Sequence, residues 1–357
     1  MAHVGVIFGG RSVEHQVSIR SARTVVDGLR AAGHQVTPLG IAQDGCWIDS
    51  VASEAVLSGG ISTIAPLEMP IAPTLRHLLA SGVEVLFPIV HGTWGEDGTL
   101  QGLCEMIDVA YVGPGVTASA LAMDKLLFKH QMAAAGVPVV EYEAVRRSDF
   151  EADPGAFLRK ARQLPFPVFV KPSVGGSSVG VKKVMSPDCL ETGVRFALQF
   201  DDAVVVERGV KGRELECAVL GYQKIEASAV GEIVPGNEFY DYADKYLQDT
   251  AQLIAPAELS PEATDRLRAL AVRAFEAIGG VGLARVDFLV EGEEEDIYVN
   301  EINTLPGFTS ISMYPRLWGL SGVPLPQLVD RLVRIALDRH RDRRRLDEGI
   351  KEFLESL

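Results

Sequence analysis

Short apolar runs alternate with longer amphipathic stretches through the first third of the chain. Val4 to Phe8 is a short apolar run closed by Gly9-Gly10, and the spacing from about Val17 to Ala32 is that of a helix, which Gly33 stops. Gln35 to Ile41 returns as a strand, Thr74 to Ser81 has helical spacing, Val83 to Val90 is another buried strand, and Gly98 to Ile107 is helical again. This alternation predicts a parallel sheet whose loops gather at the carboxyl ends of the strands. The loops after Phe8 and Val90 are therefore expected on one ligand-facing edge.

A second unit begins near Asp124. Its helix runs through Ala135 and ends at Gly136-Val137-Pro138; the strand Pro167 to Pro172 leads into SVGGSSVGV, and a further strand covers Ala203 to Glu207. From Lys211 the pattern turns β-rich, with strands at Glu214 to Leu220 and Ala227 to Ile233. Pro235 to Gln252 is polar and aromatic with little periodicity, which predicts a long functional loop. Pro261 to Ile278 is a strongly amphipathic helix. ARVDFLV and DIYVNEIN then predict a hairpin around the acidic Glu291 to Glu295, and the tail from Gln327 is helical.

At 357 residues the chain is too long for one ordinary core, so two or three domains are expected. With 47% hydrophobic and 23% charged residues, there is ample apolar area to offset ordering entropy, which excludes wholesale disorder. No uncharged apolar run approaches the roughly 18 residues that a membrane span needs. The opening MAHVGVIFGG lacks a basic segment and a small-residue cleavage site, so it reads as a buried first strand rather than a leader. A net charge of −14 disfavours long nucleic acid as a partner. The scattered Cys46, Cys104, Cys189 and Cys217 have no metal spacing and read as reduced thiols of a cytoplasmic protein.

The hairpin carries the sharpest chemistry. Arg285 and Asp287 share one strand face, Glu301 and Asn303 share another, and any turn within Glu291 to Asp296 brings Asp287 roughly level with Glu301. Two carboxylates and an amide carbonyl form an oxygen-only set suited to Mg²⁺. Since Val286, Phe288, Val299 and Ile302 supply the core-facing side, a bound cation explains this cluster of like charges better than an exposed polar face does. Lys171 to Gly180, KPSVGGSSVG, is either a phosphate cradle or a flexible turn; it is neither a Walker A loop nor GxGxxG. In Glu207 to Glu214 the carboxylates suit an adenine amine and ribose hydroxyls, or are ordinary edge charges. Glu14 either favours a helix dipole or pairs with a substrate ammonium. His91 is a base or a hydrogen-bonding loop residue. Glu96 and Asp97 read as turn and cap residues, and the interrupted run Arg339 to Arg345 reads as a solvated helix.

Four blocks occur in order: GGRSVEHQVS; HGTWGEDGTLQG with SALAMDK; KPSVGGSSVGV; and ARVDF with NEINTLPGFTSISMYP. Together with the aromatic loop FYDYADKYL they resemble the D-alanine–D-alanine ligases of the ATP-grasp superfamily over nearly the whole chain. The resemblance implies an α/β, three-domain ATP-grasp ligase. It has an N-terminal parallel-sheet substrate-binding domain (1–123), a central subdomain (124–210) and a C-terminal subdomain (211–357) with the magnesium site and a mobile loop (235–252). It further implies ATP as co-substrate, two Mg²⁺ or Mn²⁺, and D-alanyl-D-alanine made through a D-alanyl phosphate for peptidoglycan synthesis. A cytoplasmic homodimer acting on small molecules is implied too.

Carried over by position, Asp287, Glu301 and Asn303 match metal ligands, and Arg285 with the N–H of Gly307 matches oxyanion stabilisers. Glu14 matches the group holding the first substrate's ammonium, and Ser312 the group binding the second substrate's carboxylate. Ser177 and Tyr246 match partners of Glu14 that order the loop, and His91 matches an aid to deprotonating the incoming amine. Lys125, Lys171 and Lys245 match phosphate contacts; Ser178, Glu207, Arg208, Val210 and Glu214 match the remaining nucleotide contacts. Arg208 departs from the family's usual lysine, keeping the charge but not the shape. Tyr246 looks like the amide-forming ligases rather than those making D-alanyl-D-lactate. The other candidates are a ligase for different carboxylate–amine pairs, and a nucleotide sensor, against which the complete Asp287, Glu301, Asn303 and Arg285 set argues. A dinucleotide-dependent dehydrogenase fails on the missing glycine fingerprint.

Overall fold

Three sheets and the helices on them make up the computed structural model, which describes residues 1–59, 80–234, 252–292 and 296–357. Strands β1 (His3–Gly9), β2 (Gln35–Ile41), β3 (Val85–Pro88) and β4 (Ala110–Tyr111) form a parallel sheet in the order β2-β1-β3-β4. Because β1 and β3 are parallel neighbours, the loops leaving Gly9 and Val90 share one edge, as the alternation predicts. Gly9 sits at φ +90°, and a Cβ there would lie 2.1 Å from the carbonyl oxygen of Ile41, so only glycine allows this exit.

The second sheet is antiparallel, with β5 (Tyr142–Arg146), β6 (Val168–Pro172), β7 (Lys182–Val184) and β8 (Ala203–Arg208) in the order β5-β8-β6-β7. The third is also antiparallel: β9 (Gly212–Gly221), β10 (Ile225–Val234), β11 (Gln252–Ile254), β12 (Gly282–Glu291) and β13 (Asp296–Asn303), in the order β11-β10-β9-β12-β13. The helix Pro261–Ala277 buries Leu267, Ala271, Ala274 and Phe275 against this sheet, and its N-terminus is capped by Ser260, whose Oγ accepts from the N–H of Ala263 at 3.1 Å.

Four strands escape the pattern reading: β4, β5, β7 and β11. All are sheet edges of two to five residues, too short for an apolar alternation to show. Apart from Ala80 and Ser81, the helix expected over Thr74 to Ser81 lies outside the described residues, as does the loop expected from Pro235 except for Gln252, which opens β11.

The helix Leu325–Glu355 packs on the first sheet. Leu328, Val329, Leu332, Val333 and Ala336 join β1 and β3 residues, the helix His15–Ala31, and Leu305, Phe308, Tyr314 and Leu317 in one buried cluster. Arg339 covers the ring of Tyr111 at 4.0 Å and donates to the carbonyl of Gly113 at 2.7 Å, while Arg344 pairs with Asp108 and Arg343 with Glu105. Among the described residues no helix is long and apolar enough to cross a membrane.

Truncating Leu332 to Ala is expected to cost about 2–5 kcal/mol, because it opens a cavity in this shared cluster. Urea unfolding of the variant measures the loss; a change below about 1 kcal/mol would show that the helix is peripheral to the core.

Candidate active site

The hairpin pairs Asp287 with Glu301 and Arg285 with Asn303, and on its other side β12 pairs Asp287 with Glu216 of β9. The ladder shifts by one residue between Asp287 and Phe288, opposite Asn300. That bulge reconciles the faces: Val299 and Ile302 are both buried although three apart, and Glu301 and Asn303 fall beside Asp287. Arg285 grips Asp287 with two bonds of 2.7 Å and reaches Glu216 at 3.1 Å, while the Asn303 amide donates to Asp287 at 2.9 Å. Burial would weaken the guanidinium's hold on its proton, but Asp287 and Glu216 outweigh it and raise its pKa well above the ordinary value. Glu216 was not among the predicted site residues, although a carboxylate set between Leu215 and Cys217 on an apolar strand is a readable signal.

Asp287, Glu301 and Asn303 are a hard-oxygen donor set. Among the described residues no group of three or more His, Cys, Asp or Glu side chains forms a metal cage. Two carboxylates and an amide fit a cation such as Mg²⁺, which takes its other oxygens from water and phosphate.

Lysines from the second unit form the next part of the site. Lys125 donates to the carbonyl of Gly175 at 2.7 Å, and the preceding Asp124 caps its helix through the N–H groups of Leu126 and Leu127 at 3.0 and 3.1 Å. In the Gly/Ser turn Ser177 and Ser178 hold φ of 51° and 59°, a conformation that side-chain-bearing residues rarely adopt in succession. Lys171 pairs with Glu207 at 2.7 Å and Lys129 pairs with the same carboxylate at 3.1 Å. Burial would raise the Glu207 carboxyl, but the two ammonium groups hold it down at about 2. Lys125 and Lys171 both feel the charge of Glu301, which sets the lysines and the hairpin in one electrostatic field. Arg208 leans on Glu291 at 2.8 Å and the Tyr298 hydroxyl at 3.1 Å, tying the second sheet to the third. Val210 lies in the link between β8 and β9, and Glu214 on β9.

The first sheet's edge supplies the rest. Glu14 stands at the start of the helix His15–Ala31, and a Cβ on Gly92 would meet its Oε2 at 2.8 Å; the same oxygen lies 3.9 Å from a Cβ built on Gly176. Glycine at 92 therefore makes room for Glu14 between the two loops. His91 is buried, with Nδ1 2.8 Å from the carbonyl of Leu305 and Nε2 3.0 Å from the Ser21 hydroxyl, which also accepts from the N–H of Phe308 at 3.1 Å. Burial lowers its pKa, although Glu14 opposes that. Both ring nitrogens are thus engaged in fastening the 304–308 turn.

Asp97 closes the turn ahead of the helix Thr99–Met106, accepting from the N–H groups of Trp94 and Thr99 at 2.8 and 2.9 Å, while the N-cap itself is Gly98. Glu96 does more than turn the chain: it accepts from Gly92 at 2.7 Å and from Leu305 at 2.8 Å, 209 residues away. Beyond that fastening, Gly307 approaches Ser312 so closely that a Cβ would lie 2.9 Å from the serine Oγ. Ser312 begins the helix Met313–Leu320, whose N-terminus favours an anion. Lys245 and Tyr246 lie outside the described residues.

A parallel-sheet domain joined to two antiparallel sheets, with lysines, a Gly/Ser turn and an acidic hairpin brought together, defines an α/β ligase of the ATP-grasp class. Residues 3–114 match the family model for the D-ala D-ala ligase N-terminus and residues 131–334 that for its C-terminus. The D-alanine–D-alanine ligase of Solibacter usitatus is 45% identical over 95% of this chain and 97% of its own, and that of Chloroherpeton thalassium 42% identical over 96% and 98%. Among solved structures, the D-alanine–D-alanine ligase of Coxiella burnetii superposes with a TM-score of 0.83 at 34% identity, covering 99% of both chains. The VanG D-Ala:D-Ser ligase of Enterococcus faecalis gives 0.81 at 31%, covering 94% of this chain and 99% of that one. The chain belongs to the D-alanine–D-alanine ligase family.

Burial and then the Glu14 charge push Glu96 up to about 8, from 4.5 for an ordinary carboxyl. Between those values the folded state binds more protons than the unfolded chain, so this group's contribution to stability falls as pH rises through the window. Glu96→Gln removes that dependence and loses one backbone acceptor, a cost of about 1–3 kcal/mol. Melting temperatures from about pH 5 to about pH 9 should show the parent declining relative to the variant; parallel curves would contradict the assignment.

Proposed function

We propose that this chain joins two D-alanine molecules into D-alanyl-D-alanine, converting ATP to ADP and phosphate, as a cytoplasmic homodimer supplying peptidoglycan synthesis. The γ-phosphoryl group passes to the carboxylate of the first D-alanine, and the amine of the second then attacks that acyl phosphate. The resulting tetrahedral centre expels phosphate and leaves the amide. A carboxylate oxygen is a poor leaving group and phosphate a good one, which is the chemical reason for using ATP. The observation that carries this reading is the placement of Arg285 beside the Asp287–Glu301 pair, within the field of lysines from another sheet.

Glu14 holds the ammonium of the first D-alanine, and Ser312 the carboxylate of the second. Arg285 and the Gly307 N–H receive the negative charge that develops on the attacked carbonyl oxygen. Lys125, Lys171 and Lys245 bind phosphate oxygens together with Ser178, while Glu207 accepts from the adenine amine and Val210 and Glu214 complete the base and ribose contacts. Arg208, tied to Glu291 and Tyr298, supports the β8 end from the side. Ser177 and Tyr246 join Glu14 in ordering the site, and His91, with both ring nitrogens engaged by Leu305 and Ser21, serves by holding the 304–308 turn rather than as the base for the incoming amine. Asp287, Glu301 and Asn303 would hold two Mg²⁺ (or Mn²⁺), which neutralise phosphate charge during transfer.

The likeness to a D-Ala:D-Ser ligase makes the acceptor the variable to test, and the Tyr246 reading favours an amine over D-lactate. Incubation with ATP, Mg²⁺ and D-alanine, with or without D-serine or D-lactate, is expected to release phosphate and give chiefly the dipeptide of two D-alanines by mass. A mixed dipeptide or a depsipeptide as main product would overturn the acceptor choice. Arg285→Met is expected to lower kcat by about 10²–10³-fold with a small change in the KM for ATP. A rate within about tenfold of the parent would remove Arg285 from the oxyanion role.

A further inference from the structure

Lys129 is absent from every role assigned above, yet it is among the most deeply buried charged groups in the described structure. It lies one helical turn beyond Lys125 on the helix Lys125–Ala134, so the two lysines share a face. Its side chain is 2% exposed, its Nζ is 3.1 Å from Glu207 Oε1, and it stands 5.2 Å from the centre of the Tyr142 ring. Glu207 is 4% exposed and gives its other oxygen to Lys171 at 2.7 Å. One carboxylate thus divides its oxygens between two lysines that differ in freedom: Lys171 is 16% exposed and lies at the end of a strand leading into the Gly/Ser turn, whereas Lys129 is fixed in a helix.

Resting on the ATP reading, the inference concerns what happens to Glu207 when nucleotide binds. If Lys171 turns to phosphate oxygens, Glu207 would be left as a buried carboxylate without its nearer counter-charge, a costly state. A partner that never leaves removes that cost. We propose that Lys129 is a positioning residue for the nucleotide base: it keeps the Glu207 carboxylate fixed and ionised as an acceptor for a purine amine while Lys171 serves the phosphates. An ionised carboxylate only accepts hydrogen bonds. The pair therefore selects a 6-aminopurine over a 6-oxopurine, whose oxygen would face the carboxylate acceptor to acceptor.

The test measures kcat and KM for ATP and for inosine triphosphate, with D-alanine as substrate, in the parent, Lys129→Met, Lys129→Arg, Glu207→Gln and the double variant Lys129→Met/Glu207→Gln. Lys129→Met is expected to reduce the ATP-over-inosine preference in kcat/KM by about tenfold or more, with the KM for D-alanine changed less than about twofold. Lys129→Arg, which restores the charge, should recover most of the preference. The double variant removes both charges and so avoids the buried unpaired carboxylate that could unfold Lys129→Met; it should discriminate no worse than Glu207→Gln alone. An unchanged preference in Lys129→Met, equal losses for both nucleotides, or additive losses in the double variant would overturn the inference. A parent that makes dipeptide with ATP but does not prefer it to inosine triphosphate would also overturn it while leaving the ligase reading intact. A parent without ATP-dependent turnover would overturn both.

Discussion

The arrangement depends on holding the 304–308 turn against the edge of the parallel sheet. Asn303 ends β13, while Gly307 and Ser312 lie just beyond, so the same short stretch ends the candidate metal strand and begins the candidate acceptor site. Three buried polar side chains of the first domain fasten its backbone: Glu96 and His91 at Leu305, and Ser21 at Phe308. Beneath it Phe308 packs edge-on to Phe87 at 6.0 Å and against Tyr314 at 5.2 Å, in the cluster shared with the helix Leu325–Glu355. Buried donors and acceptors lose about 1–3 kcal/mol each when left unpaired, so the turn is specified by hydrogen bonds as well as packing.

Charge pairing then determines which groups stand ready. Glu207 lies between Lys129 and Lys171, and Asp287 lies in the grip of Arg285, itself shared with Glu216. Breaking one member of such buried pairs typically costs about 3–5 kcal/mol, because the remaining charge is uncompensated. These pairs keep the polar wall in place before substrate arrives, and preorganised charge is what a phosphoryl or acyl transfer site requires. Glu14 has a different support: glycine at 92 leaves the space it occupies between two loops.

Much of this was legible in the sequence because it follows local rules. The strand–helix rhythm placed the loops after β1 and β3 on one edge, and period-two spacing brought Asp287 level with Glu301 before any register was known. Alternation alone, however, puts Val299 on the face of Glu301; the bulge opposite Asn300 places it in the core. The four edge strands escaped because segments of two to five residues carry little periodicity. Glu96 read as a turn residue because its second partner lies 209 positions away, and Lys129 had no local motif at all. Long-range pairs between buried polar groups are created by the fold, so spacing along the chain cannot reveal them.

The central claim is that carboxylate oxygen leaves as phosphate. The direct test is turnover of D-alanine labelled with ¹⁸O in its carboxylate, with ATP and Mg²⁺, followed by mass analysis of both products. The account predicts that each dipeptide formed is accompanied by one phosphate carrying a single ¹⁸O from the donor. Unlabelled phosphate accompanying dipeptide would mean that no acyl phosphate forms, and would contradict the roles assigned to the lysines, the acidic hairpin and Arg285.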